Sequence, residues 1–202
     1  MNLTDRVKNI ILQPAEEWAV IEKEPSSVAE LYRSYIVPLA AIGPVASIIG
    51  LSLIGINIPG VGTYRIPLMS AIGQAVVNYV LALAGVYVLA LIIDGLAPTF
   101  QGTKNNIQAL KVAAYSSTAA WLAAIFILIP ALGFLQILGI YSLYLLYLGL
   151  PVLMKAPQDK AFVYALVVIV AAIVIFAVIG AVGSLFVTYP TPGITPRIPA
   201  VP

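Results

Sequence analysis

The segment that decides the fold is Val112–Met154, VAAYSSTAAWLAAIFILIPALGFLQILGIYSLYLLYLGLPVLM, whose 43 residues include no charged side chain. A single α-helix of this length would extend about 65 Å, roughly twice the hydrocarbon thickness of a bilayer. We therefore predict a hairpin of two membrane spans, near 108–129 and 133–154. The break is placed at Pro130-Ala131-Leu132-Gly133, because proline and glycine are the residues that most often interrupt helices.

The composition of the whole chain sets its structural class. Of 202 residues, 61% are hydrophobic and 9% are charged, whereas a soluble domain carries about 25% charged residues. A chain so poor in charge cannot cover its surface in water, so we predict that a lipid bilayer surrounds it. The fold class is therefore all-α, an integral membrane helical bundle with about five transmembrane helices, at about 35–56, 67–93, 108–129, 133–154 and 161–187.

Residues 1–33 carry much of the charge and precede the five-span domain, which we place at 34–187. Apolar residues recur with helical spacing, so the segment is predicted to be amphipathic; they are Leu3, Val7, Ile10 and Ile11. Pro14 is predicted to end one short helix and begin another, with Thr4 capping the first and Ser27 opening the first long helix. Two placements fit this segment: the lipid headgroup layer, or a cytoplasmic cap packed on the bundle.

The connections between spans show a bias in the sign of their charges. Asn57–Arg65 is predicted to be a loop, and residues 188–202, with five prolines, an extended tail. Arg65 and Arg197 lie on one side of the membrane. Eight basic residues lie on the other side, together with the N-terminus: Arg6, Lys8, Lys23, Arg33, Lys104, Lys111, Lys155 and Lys160. Cytoplasmic loops are enriched in Lys and Arg, so we predict a cytoplasmic N-terminus and a C-terminus outside.

Two residue types are missing from the sequence, which contains no cysteine and no histidine. Disulfides, thiol nucleophiles, histidine-based catalytic triads and zinc sites built on these residues are therefore excluded. We predict no catalytic, cofactor-binding or metal-binding residues, and a protein that is not an enzyme. The net charge of +2 gives no indication of nucleic-acid binding.

Three polar side chains of the second predicted span are candidates for a functional role. Gln74 and Asn78 are four residues apart and share one helical face. They could line a solute path, but hydrogen bonding between helices is the more frequent role of such residues. Asp94 ends the span beside Gly95, where capping or a contact with a loop competes with a functional role for an intramembrane acid.

Tyrosines and small residues form two further patterns. Tyr141, Tyr144 and Tyr147 are spaced by three residues on the fourth span, and Tyr115 lies on the third. This pattern favours helix packing, with a ligand pocket as the alternative. Small residues also recur four apart, which lets helices approach closely within the chain or between chains; the pairs are Gly43/Ser47, Ala71/Ala75, Ala113/Ser117, Ala120/Ala124, Ala177/Ala181 and Gly180/Ser184.

Several segments together resemble the Yip domain family. They are Ile11–Trp18, Phe100–Thr103, Lys111–Ser116, Lys160-Ala161 and, most specifically, the tyrosine-rich Tyr141–Pro151 that ends in Gly-Leu-Pro. The family includes eukaryotic proteins that bind Rab-type GTPases in early secretory traffic and have five spans with a cytoplasmic N-terminus. This chain has neither their long N-terminal region nor an Asp-Leu-Tyr-Gly-Pro string. It is similar to the small prokaryotic members, which implies the inner membrane of a prokaryotic cell.

These observations lead to two hypotheses for function. The first is a non-enzymatic membrane protein that acts through membrane-embedded contacts with lipid, a membrane-protein partner or a second copy, in membrane organisation or a trafficking-like role. The second is a small-solute or ion transporter or channel, although the sequence gives no sign of a buried charge pair or an internal repeat to support it. An intramembrane enzyme would need clustered carboxylates, which the predicted spans do not contain.

Overall fold

The computed structural model describes residues 2–58 and 62–184. Five of its helices are long and apolar enough to cross a membrane, which confirms the predicted all-α membrane bundle. Two short helices precede them. In chain order the helices are α1 (Leu3–Leu12), α2 (Pro14–Lys23), α3 (Val28–Ile54), α4 (Leu68–Phe100), α5 (Asn106–Leu128), α6 (Pro130–Leu153) and α7 (Gln158–Ser184). The end of the fifth predicted span and the predicted proline-rich tail, 188–202, lie outside the described residues.

Helices α1 and α2 form an antiparallel pair, which we call the N-terminal hairpin (residues 3–23). The side-chain Oδ1 of Asn2 accepts a hydrogen bond from the Asp5 N–H at 2.8 Å. Asn2 is therefore the N-cap, and the prediction that Thr4 caps α1 is wrong because Thr4 already lies in its first turn. The predicted break at Pro14 is confirmed, since α1 ends at Leu12 and α2 begins at the proline.

Helix α3 begins where the sequence predicted a cap. The Ser27 Oγ accepts a hydrogen bond from the Glu30 N–H at 3.2 Å. Beyond this start the helix is irregular, with α-helical segments separated by π-helical ones; the π-helical segments are Tyr32–Ile36 and Ile49–Ile54. Such wider turns in an α-helix often occur at functional sites, and here they belong to a helix that packs closely against α5.

The segment predicted as a loop after α3 contains two short antiparallel strands. They are β1 (Ile56–Ile58) and β2 (Gly62–Tyr64), and Asn57 pairs with Thr63 at the centre of the ladder. Gly55 precedes β1 with φ of +84°, and a Cβ there would lie 2.7 Å from the Tyr64 carbonyl oxygen. Only glycine fits this position without strain, because both the backbone angle and the space exclude a side chain.

Helix α4 continues past the predicted span, 67–93, through the segment Asp94–Pro98 that was predicted to close it. It continues as an α-helix to Leu96 and as a 3₁₀-helix to Phe100, because Pro98 suits the first turn of that last segment. Gln101 then adopts left-handed geometry, with φ of +59°. The Thr103 N–H donates to the Met154 carbonyl at 2.7 Å, which joins the α4–α5 connection to the end of α6.

Helices α5 and α6 form the hairpin expected from the uncharged segment. Helix α5 ends at Leu128, Ile129 is extended, and α6 begins at Pro130, so the predicted break is confirmed. The hairpin is unusual in its helix type, since its tip is built of 3₁₀-helix on both sides, over Ala124–Leu128 and Pro130–Ile140. Runs of 3₁₀-helix longer than four residues are uncommon, because their hydrogen bonds have poorer geometry.

Candidate functional site: a buried charge cluster and a lateral groove

The N-terminal hairpin docks against the bundle through three fully buried apolar side chains, those of Ile10, Trp18 and Ile21. Trp18 lies on α6 at Gly149, where an added Cβ would come within 2.7 Å of the indole ring. A glycine is needed there because the ring occupies the place of any larger side chain. The segment is therefore packed on the bundle, and its level relative to the lipid headgroups stays a prediction.

A buried ion pair holds the two helices of the N-terminal hairpin together. The Arg6 Nη1 donates to the Glu17 Oε1 at 2.5 Å, and both side chains are 6% exposed. The second amino group of Arg6 pairs with Glu24, and the guanidinium lies 5.5 Å from the ring centre of Tyr115 on α5. The expectation that the chain lacks a buried charge pair is therefore wrong, because Arg6 and Glu17 form one.

The charge of Arg6 is secured by its surroundings. Burial by itself lowers the pKa of Arg6, because a desolvated cation is unfavourable. The hydrogen bond that Arg6 donates to Glu24, together with the electrostatic interactions with Tyr115, Glu24 and Glu17, outweighs burial and raises the pKa above its ordinary value. Arg6 therefore remains a permanent cation that needs both carboxylates.

Lys111 joins the same cluster from the start of α5. It is 2% exposed, and its Nζ donates to the backbone carbonyls of Ile21 at 2.8 Å and Glu24 at 2.5 Å. These carbonyls are at the end of α2, where a helix presents unpaired acceptors and the negative end of its dipole. We refer to Arg6, Glu17, Glu24, Lys111 and Tyr115 as the charge cluster.

An exposed ion pair continues this attachment on the outside. Lys155, in the α6–α7 connection, pairs with Glu22 at the end of α2. The hydrogen bond from Lys155 lowers the pKa of the Glu22 carboxyl below its ordinary value. The Gln108 Nε2 also donates to the Glu22 carbonyl at 3.0 Å. The end of α2 is thus bound to the first turn of α5 and to the α6–α7 connection.

Tyr115 is the predicted candidate that the structure places in the charge cluster. Its ring meets Trp18 edge-on, with centroids 6.2 Å apart, and lies 4.5 Å from the ring of Tyr35 on α3. The hydroxyl groups of Tyr35 and Thr118 are 2.6 Å apart and share a hydrogen bond. Tyr115 therefore connects the N-terminal hairpin, α3 and α5 through aromatic contacts.

Tyr141 contacts the opposite end of the N-terminal hairpin. Its hydroxyl donates to the Ile11 carbonyl at 3.1 Å, in the last turn of α1. Beside this contact lies a cavity of about 600 Å³ that opens sideways, which we call the lateral groove. Every lining side chain except that of Tyr141 is apolar; they include Ile11, Ile42, Leu122, Phe126 and Leu138.

The remaining candidates do not join either feature. Tyr144 is 48% exposed and Tyr147 is half-buried, and both line a shallow apolar groove between α6 and α7. Gln74 and Asn78 are half-buried on α4. Within residues 2–58 and 62–184, buried oxygens without a hydrogen-bond partner include the Oδ1 atoms of Asn78 and Asp94.

The charge cluster was missed because its members are far apart in the chain. Lys111 lies 87 residues from Glu24, and in the sequence it marks only the edge of an uncharged segment. The described residues contain no group of three or more acidic side chains that could hold a metal ion. The charge cluster binds the N-terminal hairpin to α5, and the lateral groove beside Ile11 presents an apolar surface.

These features define a polytopic helical membrane protein whose N-terminal hairpin is docked on one end of a five-helix bundle. The family model of the Yip1 domain matches residues 8–179, from the middle of α1 to the last third of α7. The chain therefore belongs to the Yip1 domain family.

Two relatives are bacterial membrane proteins. The chain is 25% identical over 158 residues to the inner membrane protein YohC of Escherichia coli (strain K12), which covers 76% of this chain and 81% of the relative. The same figures hold for inner membrane protein YohC of Escherichia coli O6:H1. No solved structure matches the chain.

Proposed function

We propose that the protein is a non-enzymatic membrane protein that acts by packing against other membrane components, in membrane organisation or a trafficking-like role. The observation that carries this proposal is a face of small residues on α7. Ala177, Gly180, Ala181 and Ser184 are spaced as one helical face and are all exposed. A Cβ added to Gly180 would meet no atom within 4 Å.

Small residues elsewhere in the chain lie where two of its helices pack closely together. Gly43 on α3 approaches α5 so closely that an added Cβ would lie 3.3 Å from the Ala124 Cβ. Ala71 and Ala75 on α4 are also buried. Small residues at these positions let helices of this chain touch, and the α7 face offers the same surface to a helix from a second copy or from a partner.

The orientation belongs to the same proposal. A cytoplasmic N-terminus is supported by the eight-to-two excess of basic residues on that side. The location in a prokaryotic inner membrane is supported by the printed description of the Escherichia coli relatives. With this orientation the docked N-terminal hairpin lies on the cytoplasmic side of the bundle.

The absence of cysteine from the sequence makes a direct test simple, because each introduced thiol is the only one in the chain. Ala181→Cys places a thiol on the small-residue face, and Val80→Cys places one on the exposed surface of α4 as the control. Oxidation in native membranes is expected to give a disulfide-linked dimer for Ala181→Cys only. Equal crosslinking of both variants, or of neither, would contradict packing of two copies through this face.

The transporter hypothesis has one observation in its favour, the buried Asn78 Oδ1 that lacks a hydrogen-bond partner in the described part of the chain. Solute or ion flux in proteoliposomes that is lost in Asn78→Leu, with folding intact, would establish that alternative. The absence of flux across a broad panel of solutes would count against it.

A further inference from the structure

The lateral groove has the size and the surface of an apolar ligand site. Its volume of about 600 Å³ falls within the range of small-molecule sites, roughly 300–1,000 Å³. Part of its wall is made of Ala119 and Ala123 on α5, whose small side chains leave space that larger residues would fill. A cavity lined in this way offers water few hydrogen-bond partners, so an apolar group is the favoured occupant.

The position of the groove along α6 indicates that the apolar occupant is an acyl chain. Trp18 contacts α6 at Gly149, whereas Ile11 contacts it at Tyr141. These two positions are eight residues apart, which is about 12 Å along an α-helix. The tip of the N-terminal hairpin therefore lies beside the middle of α6, and its Leu12 is 65% exposed, which suits a side chain that meets acyl chains when α6 crosses the bilayer.

The charge beside the groove indicates which lipid fits. Lys8 is exposed and lies three residues before Ile11 and four before Leu12, on the same side of α1. It is thus about 5 Å nearer to the membrane surface than the groove. A lysine at this depth extends its ammonium group toward the headgroups, while Asp5 lies one further turn away from the membrane.

We propose that the lateral groove holds one acyl chain of an anionic phospholipid whose phosphate is bound by Lys8. This rests on the proposed function in that it makes a lipid one of the membrane components that the protein binds. The lipid belongs to the leaflet on the side of the N-terminus. Because Ile11 forms part of the groove and its carbonyl is held by Tyr141, the occupied groove also stabilises the docked N-terminal hairpin.

The test compares the lipid that full-length variants retain. Each variant is reconstituted in nanodiscs of equal parts phosphatidylglycerol and phosphatidylethanolamine. Native mass spectrometry then releases the protein from the nanodisc and measures the mass of the lipid that stays bound to it. Leu122→Trp fills the groove, and Leu91→Trp adds the same side chain to the exposed surface of α4 as its control. The proposal expects one retained phospholipid in the parent protein and in Leu91→Trp, and none in Leu122→Trp. Equal retention in the two tryptophan variants would overturn it.

A second pair of variants tests whether Lys8 binds the lipid phosphate. Lys8 and Lys104 are both exposed, so replacing either one is expected to leave the fold unchanged. Lys8→Gln is expected to lower the preference for phosphatidylglycerol about fivefold, and Lys104→Gln to leave it unchanged. An equal preference in the two variants would overturn the role of Lys8.

The dimer assay at Ala181→Cys separates this inference from the proposed function when it is repeated in each lipid variant. Loss of lipid with the crosslink retained supports the groove independently of the α7 face. Retained lipid in Leu122→Trp refutes the groove, whatever the crosslink shows.

Discussion

Removal of Glu17 is the sharpest test of how the N-terminal hairpin is held. Arg6 and Glu17 are each 6% exposed and pair at 2.5 Å, while Glu24, the second partner of Arg6, is 36% exposed. Glu17→Ala leaves the charge cluster with two cations, Arg6 and Lys111, and one carboxylate. The neighbouring Glu16 is exposed, so Glu16→Ala removes the same charge from the same turn and serves as the control.

The expected cost follows from the burial of the pair. Removing one partner of a buried ion pair typically costs about 3–5 kcal/mol, because the other charge remains desolvated and uncompensated. Glu24 still contacts Arg6, so we expect the lower end of this range, about 3 kcal/mol. At about 1.4 kcal/mol per factor of ten, the ratio of undocked to docked hairpin should rise roughly 100-fold. Glu16→Ala should change this ratio less than threefold.

The chain carries its own reporter of docking, because it contains two tryptophans and one of them, Trp18 on α2, is fully buried where the N-terminal hairpin meets α6. In a Trp121→Phe background, Trp18 emission reports docking alone. In a denaturant titration, Trp18 emission should shift to the red, and Trp18 should become accessible to the quencher acrylamide, at a lower denaturant concentration in Glu17→Ala than in the parent protein. If Glu17→Ala and Glu16→Ala have the same midpoint, the buried pair does not hold the hairpin and the reasoning is wrong.

Three further predictions concern single contacts. Gly149→Ala forces the Trp18 ring away from α6 and should destabilise docking by about 1–3 kcal/mol, measured as the same emission shift. Gly50→Ala places a Cβ 2.1 Å from a backbone carbonyl of α5, so size-exclusion chromatography should show loss of the folded monomer or dimer, unlike Gly73→Ala. The lowered pKa of Glu22 adds stability to the docked hairpin that is present above the unfolded pKa of about 4.3 and is lost as the pH falls through the lower folded value. Acidification should therefore shift Trp18 emission to the red, and Lys155→Ala should abolish this acid dependence.

Local signals explain the parts of the fold that were predicted correctly. The length of the uncharged segments sets the number of spans, because a helix must be long enough to cross the bilayer. Proline at 14 and at 130 marks the two sharp breaks, since it lacks the N–H that a helix interior requires. The short strands at 56–58 and 62–64 were not predicted, because three residues are too few to establish the alternation that marks a strand, and Pro59 and Gly60 between them favour a loop.

The tyrosine pattern shows where periodicity alone is insufficient. Residues spaced by three turn by about 60° around an α-helix at each step, so Tyr141 and Tyr147 point about 120° apart. One contacts the N-terminal hairpin and the other faces the groove between α6 and α7. The shared spacing therefore does not place all three tyrosines in one pocket, although Tyr144 and Tyr147 line the same groove.

The sequence by itself determined that the chain is a five-span helical membrane protein, where it folds back, and which family it resembles. These properties depend on hydropathy, length and proline, which act over a few helical turns. Only the tertiary structure decided that Arg6 meets Glu17 beneath Tyr115, that Lys111 binds the end of α2, and that a groove opens beside Ile11. Those features join residues that are far apart along the chain, and their energies depend on burial, which no local pattern records.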